Sequence, residues 1–281
     1  MAQRTSTGAN LLAAQYRLRG NEWQYLGGAW VRQLLNEILF ETIQTDDPEK
    51  LFRDNFARFE SLGDRRGIIR AVMHLGNIAF MKEEYDKAQG NFQIALDHAL
   101  ALGEKWGAAG CYHKLGQVAR ARGNYPLALQ IFQDGLELLK KVDDPRRTGF
   151  ILRELGGVAR VQGEHSASWE YYRESLQIAK KIGAEALALE TLTGVASLLA
   201  ETGEPERGVA LLTLALTHPA SEQLTQNRAA QTLQILHERG TKDTVTQEHG
   251  KGRSQPLEET IESILGNSIV SRSNEHGKHF F

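Results

Sequence analysis

The chain is poor in the residue patterns that mark chemistry or membrane residence. It carries one cysteine, Cys111, among 281 residues. An internal disulfide is therefore excluded, and the composition fits a reducing compartment. No apolar run reaches the roughly 20 residues that a transmembrane helix needs, and a mean hydropathy of −0.40 agrees. Residues 1–10 are polar and lack the apolar centre of an export signal, so the expected location is cytoplasmic. Charge of either sign is scarcely in excess: 33 Lys and Arg face 35 Asp and Glu, a net charge of −2. That balance argues against a global basic field for nucleic acid or an anionic membrane. No Gly-Lys-Ser/Thr phosphate loop occurs, so no nucleotide-hydrolysing site can be assigned. Cys111 has no His-Asp arrangement beside it and reads as a buried, inert residue. His249, His276 and His279 have neither cysteines nor helical spacing to make a ligand set. The chain is expected to be no enzyme, with no cofactor and no metal.

What the chain does contain is a repeat. Leu75-Gly76-Asn77-Ile78-Ala79 returns 40 residues later as Leu115-Gly116-Gln117-Val118-Ala119, and again as Leu155-Gly156-Gly157-Val158-Ala159. The rest of the unit keeps step: Ala88, Phe92 and Ala95 become Ala128, Phe132 and Gly135, then Ser168, Tyr172 and Ser175. A fixed period of this length predicts a stacked array. Each unit reads as two helices. The first carries apolar residues at helical spacing, as in Ile68, Val72, Leu75, Ile78 and Ala79. A polar break follows: Lys82-Glu83-Glu84, Arg122-Gly123-Asn124 or Gln162-Gly163-Glu164. Glycine suits the positive φ just past a helix end. The second helix then starts near Tyr85, Tyr125 or His165. Gly76, Gly116 and Gly156 fall mid-helix, where glycine costs up to about 1 kcal/mol relative to alanine. Ala88, Ala128 and Ser168 are expected to face them, so that the two helices approach closely. Phe92, Phe132 and Tyr172 would then fill the gap toward the next pair. Asp64 and Asp144 are predicted N-caps, and Pro145 suits a first turn.

Two outer copies are degenerate. Upstream, Gly27, Leu35, Leu39 and Phe52 align with Gly67, Leu75, Ala79 and Phe92. Downstream, Leu192, Val195 and Ala196 align with Leu155, Val158 and Ala159 at a shift of 37, which predicts a first helix about three residues longer there. The expected layout is a lead-in over 1–21, a solenoid over 22–240 and a tail over 241–281. Its repeats occupy about 22–61, 62–101, 102–141, 142–181 and 182–219, with a capping helix over 221–239. The tail reads as a linker, a short amphipathic helix from Pro256 to Leu265, and a polar end expected to be disordered. The fold class is all-α: a right-handed α-solenoid of about five helix pairs with a capping helix and a flexible C-terminal tail.

The pattern resembles the tetratricopeptide repeat (TPR). In that family a bulky residue precedes Leu-Gly, a small residue follows, and the second helix carries an Ala-Phe-Ala spacing. Val72, Leu75, Gly76, Ala79, Ala88, Phe92 and Ala95 fill it in order. The usual unit has about 34 residues; this chain extends it to 40. The resemblance implies a scaffold whose concave groove holds a protein or peptide. A narrower likeness is to the arrays of bacterial LuxR-type regulators and signal-transduction ATPases. The connector Leu62-Gly63-Asp64-Arg65-Arg66-Gly67, the stretch from Gly203 to Arg207 with Leu211-Leu212, and the Pro256-Leu257-Glu258-Glu259-Thr260-Ile261 tail carry it. In that family the array senses an inducer or partner, while separate domains hydrolyse nucleotide or bind DNA. It implies association with a regulator or ATPase module. Two alternatives stay open: a domain that senses a small-molecule inducer, and a C-terminal piece of a larger transcriptional regulator or ATPase.

By the repeat register, first-helix residues that face away from the second helix line the groove. They are Arg70, Met73, Asn77 and Phe80; then His113, Gln117 and Arg120; then Phe150, Arg153, Gly157 and Arg160. Asn77 and Gln117 suit a peptide backbone. Arg120 and Arg160, one repeat apart, suit carboxylates or phosphates. Taken singly, each is better explained as ordinary solvated surface; as a row they mark how arrays bind. Some co-chaperone relatives grip a C-terminal carboxylate with Lys, Asn and Arg. The matching places here hold Met73, Asn77, Lys114, Phe150 and Glu154, and Glu154 opposes such a clamp. The expected partner is a protein or peptide in the groove, with no direct contact to nucleic acid and none to membrane.

Overall fold

The computed structural model describes residues 47–238 and 256–266. The chain divides into two compact units after Asn55. Of the first, only residues 47–55 are described. Gly27, Leu35 and Leu39 of the degenerate first repeat lie outside the described residues, as do His249, His276 and His279.

Among the described residues there are helices and no strand. In chain order they are α1 (Pro48–Ser61), α2 (Arg65–Met81), α3 (Tyr85–Ala101), α4 (Lys105–Ala121), α5 (Tyr125–Leu139), α6 (Pro145–Val161), α7 (His165–Lys181), α8 (Glu185–Glu201), α9 (Pro205–Thr217), α10 (Gln223–Glu238) and α11 (Leu257–Gly266). Consecutive helices pack as pairs, α2 with α3, α4 with α5, α6 with α7 and α8 with α9, and each pair packs on the next. The architecture is an α-solenoid. In addition α2 meets α4, α4 meets α6 and α6 meets α8. These direct contacts put the first helices on a shared inner face. At the end of the series α10 packs against both α9 and α8, the place a further first helix would take.

Short polar connectors set this geometry. Asp64 accepts the Gly67 N–H at 3.0 Å, Asn124 that of Leu127 at 3.2 Å and Asp144 that of Arg147 at 2.9 Å. Each satisfies an orphan donor of the first turn. Pro145 occupies the first turn of α6. The same connectors close the preceding helix. Asn124, Glu164 and Glu204 donate their N–H to Ala119, Ala159 and Leu199 carbonyls at 2.9, 2.9 and 2.8 Å. At Asn124 one residue thus ends a helix and caps the next, whereas Glu164 and Glu204 make no side-chain cap bond. The turn needs a positive φ, supplied by glycine at Gly63, Gly103, Gly123, Gly163, Gly183 and Gly203, and by Glu83 at φ 60 between α2 and α3.

Inside each pair an aromatic ring lies directly against the mid-helix glycine. A Cβ on Gly76 would stand 2.4 Å from Phe92, one on Gly116 2.3 Å from Phe132, and one on Gly156 2.6 Å from Tyr172. The rings therefore fill the space within their own pair, and Tyr172 also reaches the next pair, as the spacing predicts: a Cβ on Gly194 of α8 would stand 2.6 Å from its ring. The reason is steric: only hydrogen on the first helix leaves room for a ring. Ser168 does face its glycine, donating to the Gly156 carbonyl at 2.8 Å.

The last pair departs from the sequence expectation. Helix α8 has 17 residues, like α2, α4 and α6. Its register follows the shift of 40, so Val195 and Leu199 stand where Leu155 and Ala159 stand, and the 37-residue alignment is a coincidence of apolar spacing. Leucine-rich α8 is buried on several sides, with Leu187, Leu189, Leu192, Leu198 and Leu199 all inaccessible or nearly so. Burial on many sides erases the amphipathic pattern that fixes register in a sequence.

Candidate functional site

The inner face brings five of the predicted groove residues to one place. At its centre is Glu154 of α6, 2% exposed. Arg153 Nη2 donates to its Oε1 at 2.8 Å, and Gln117 Nε2 of α4 donates to the same oxygen at 2.9 Å. Arg120 Nε lies 3.4 Å from the other oxygen, and His113 Nε2 lies 3.6 Å from Oε1. Phe150 floors the cluster. His113 stacks on its ring at 6.3 Å, and the Arg153 guanidinium lies over it at 5.8 Å, a favourable arrangement for a partly desolvated cation. Gly157 borders the cluster: a Cβ there would be in ordinary contact with Arg120 Nη1 at 3.9 Å and the Tyr172 hydroxyl at 3.7 Å.

Burial works against the charge on Glu154. Arg153, Arg120 and His113 outweigh it and hold the carboxyl well below the ordinary carboxylate range. Arg153 is shared, since its Nη1 reaches Glu190 Oε2 of α8 at 3.1 Å. From α10 comes a third guanidinium, Arg228. Burial lowers its pKa, and the positive fields of Arg153 and Arg120 add to that, against Glu154 and Glu190. Among the described residues Arg228 has no ion-pair or hydrogen-bond partner for its guanidinium. Arg153 Nε and His113 Nε2 are likewise buried without a hydrogen bond. Lys114, half-buried beside the cluster, is pushed down by burial and partly restored by Glu154. Three arginines thus face two carboxylates, with two buried donor atoms, Arg153 Nε and His113 Nε2, left without a hydrogen bond.

The remaining predicted residues lie elsewhere. Arg160 pairs with Glu201 of α8, so Arg120 and Arg160 do not form one anion site; each already has a carboxylate of this chain. Arg70 is exposed at the other end of the inner face. Met73 is half-buried with its Sδ 3.7 Å from Cys111 Sγ. Asn77 is half-buried. Phe80 packs edge-on to Tyr85 at 5.7 Å, at the edge of the core. Cys111 is fully buried and its thiol is pushed up to about 12 by burial, as an inert residue requires.

Sequence reasoning missed three members. Glu154 was weighed only as an objection to a carboxylate clamp. Its signal was a sign reversal at one register place, Lys114 in one repeat and Glu154 in the next. Glu190 shares its place with Phe150 and Arg70, so the column also changes chemistry at every step. Arg228 sits in the capping helix, outside the repeat, and had no signal.

Among the described residues no group of three or more His, Cys, Asp and Glu side chains is placed to hold a metal ion. None of the described helices is long and apolar enough to cross a membrane.

Comparison with known proteins agrees with the helix pairs. The model of the tetratricopeptide repeat matches residues 68–141, which span α2 to α5. A similar solved structure is the crystal structure of BtubC (BKLC) from P. vanneervenii, with a TM-score of 0.59 over 78% of this chain and 92% of that one. At 13% identity the likeness concerns the fold alone. No curated protein matches the sequence. Tetratricopeptide repeats are in general non-enzymatic scaffolds that bind proteins or peptides.

Proposed function

We propose that this chain is a non-enzymatic TPR scaffold or sensing module that holds a protein or peptide segment against the inner face of α4, α6, α8 and α10. An acidic group of the partner is the anchor. One observation carries the reading: Arg120, Arg153 and Arg228 converge from three helices on two carboxylates, and Arg228 lacks an ion pair among the described residues. A guanidinium half-removed from water gains most from an anion that arrives with the ligand. His113, Gln117 and Phe150 supply the polar and aromatic wall that a peptide needs beside such an anchor. Asn77 and Phe80 would contact the same segment where it continues along α2. The regulator association implied by the resemblance belongs to the same reading. The array senses, a separate module acts, and a cytoplasmic setting would keep Cys111 reduced.

The test is a paired capture from source-cell lysate with full-length baits. One bait is wild type, one carries Arg228→Glu, and one carries Arg160→Glu as a control away from the cluster. Equal helicity of all three is checked first. A partner held by wild type and the control but lost by Arg228→Glu supports the reading. A partner retained by all three moves the site off the cluster. With no partner captured, the groove reading gives way to a small-molecule sensor, which a thermal-shift ligand screen would detect through stabilisation by mass action.

A further inference from the structure

Helix α11 stands outside the alternating order of pairs. Its main contact is α7, a second helix. Ile261 and Ile264 are 4% and 3% exposed and join the buried cluster that holds Trp169 and Leu176. Leu257 and Leu265 pack beside them. Two polar ties frame the apolar contact. Arg173 Nη2 donates to the Leu265 carbonyl at 3.1 Å, satisfying one of the orphan acceptors at the end of α11. Lys180 Nζ donates to Glu262 Oε1 at 2.6 Å.

Trp169, Arg173, Leu176 and Lys180 follow one another at helical spacing and share one face of α7. The equivalent places are Gln89, Gln93, Leu96 and Leu100 on α3, and Leu129, Gln133 and Leu136 on α5 with Lys140 just past its end. Trp169 and Arg173 are thus what sets α7 apart. The first provides a broad apolar base, and the second a fork of donors for a helix end. A helix of ten residues is too short to hold itself in water, so α11 owes its order to this seat. Residues 239–255 join it to α10, enough chain to span on the order of 50 Å when extended.

We propose that this face of α7 is a separable seat for a short acidic amphipathic helix, filled by α11 of the same chain and, by exchange, by α11 of a second copy. Exchange of an identical element keeps every contact and costs little. The seat is independent of the inner-face reading, since no residue is shared.

Two full-length variants test it. Lys180→Glu and Glu262→Lys each set like charges against one another within a chain, at exposed positions that leave the core untouched. In an equal mixture each seat regains an opposite charge only from the other variant's helix. Sedimentation of the mixture should show a heterodimer at least tenfold tighter than the self-association of either variant. A labelled peptide of residues 256–266 should bind the Glu262→Lys chain saturably and the Lys180→Glu chain at least tenfold more weakly. A mixture that sediments as the sum of its parts overturns the exchange. A peptide that binds neither chain, or both equally, overturns the seat.

Discussion

The two ends of the inner face are built from the same register and do different things. Around α2 the four places hold Arg70, Met73, Asn77 and Phe80. Met73 and Phe80 lean on the core, Arg70 is exposed, and no charge cluster forms among the described residues. From α4 onward the same places hold His113, Gln117, Arg120, Phe150 and Arg153, and they close around Glu154. The helix geometry is the same in both. The difference lies in one buried carboxylate, which fixes the side chains around it in one arrangement. A repeat therefore supplies positions, and a departure from the repeat supplies the site.

The largest effect should come from removing that carboxylate. Glu154→Gln leaves buried Arg153 without its main partner and should cost about 3–5 kcal/mol in urea denaturation. Asn77→Ala, at the other end, should stay within about 0.5 kcal/mol. Equal effects would erase the contrast between the two ends. The same pair predicts a pH signature. The Glu154 carboxyl is held below its ordinary value, so its stabilising contribution is fully present above the unfolded value of about 4.3 and is lost as pH falls through the folded value. The gap between wild type and Glu154→Gln should shrink steadily below about pH 4. A gap that widens in acid would refute the charge cluster.

A middle-sized effect tests what the two ends share. Gly116→Leu forces a side chain into a site where even a Cβ would meet Phe132 at 2.3 Å. The expected loss is about 1–3 kcal/mol by overpacking, read from a melting curve. An unchanged curve would mean that the ring moves freely and that ring-on-glycine packing does not hold the pairs together.

The smallest effect concerns a turn. Glu83 has φ 60 between α2 and α3, where the corresponding turns at Gly123, Gly163 and Gly203 use glycine. Glu83→Gly should relieve that conformation and stabilise the chain by about 0.5–1 kcal/mol. A loss of stability would show that the Glu83 side chain contributes more than its backbone costs.

How much was legible follows from the range of each interaction. Asp64 and Asp144 were readable as caps because a cap acts across three residues. The glycine–aromatic pairing was readable as close packing, and Tyr172 does reach the next pair at Gly194; that each ring lies against the glycine of its own pair was not, since that depends on how far apart two helices settle. Row membership of His113, Gln117, Arg120, Phe150 and Arg153 followed from the period. Their convergence did not. The Gln117–Glu154 bond joins residues 37 apart, and a one-dimensional pattern does not rank one such pairing above another. Arg160 shows the same limit: it shares its register with Arg120, yet it turns to Glu201.

By itself the sequence determined the unit: the helix pairs, the Asp64 and Asp144 caps, the glycine turns and the order of pairs. These rest on contacts within a few residues, which period and residue type encode directly. Only the tertiary structure decided which charges meet, that Glu154 is buried among arginines, that Arg228 of the capping helix joins them, and that α11 lies on α7. Those outcomes depend on the separation and rotation of packed helices. They emerge when side-chain volumes from distant repeats are fitted together, and no local pattern contains them.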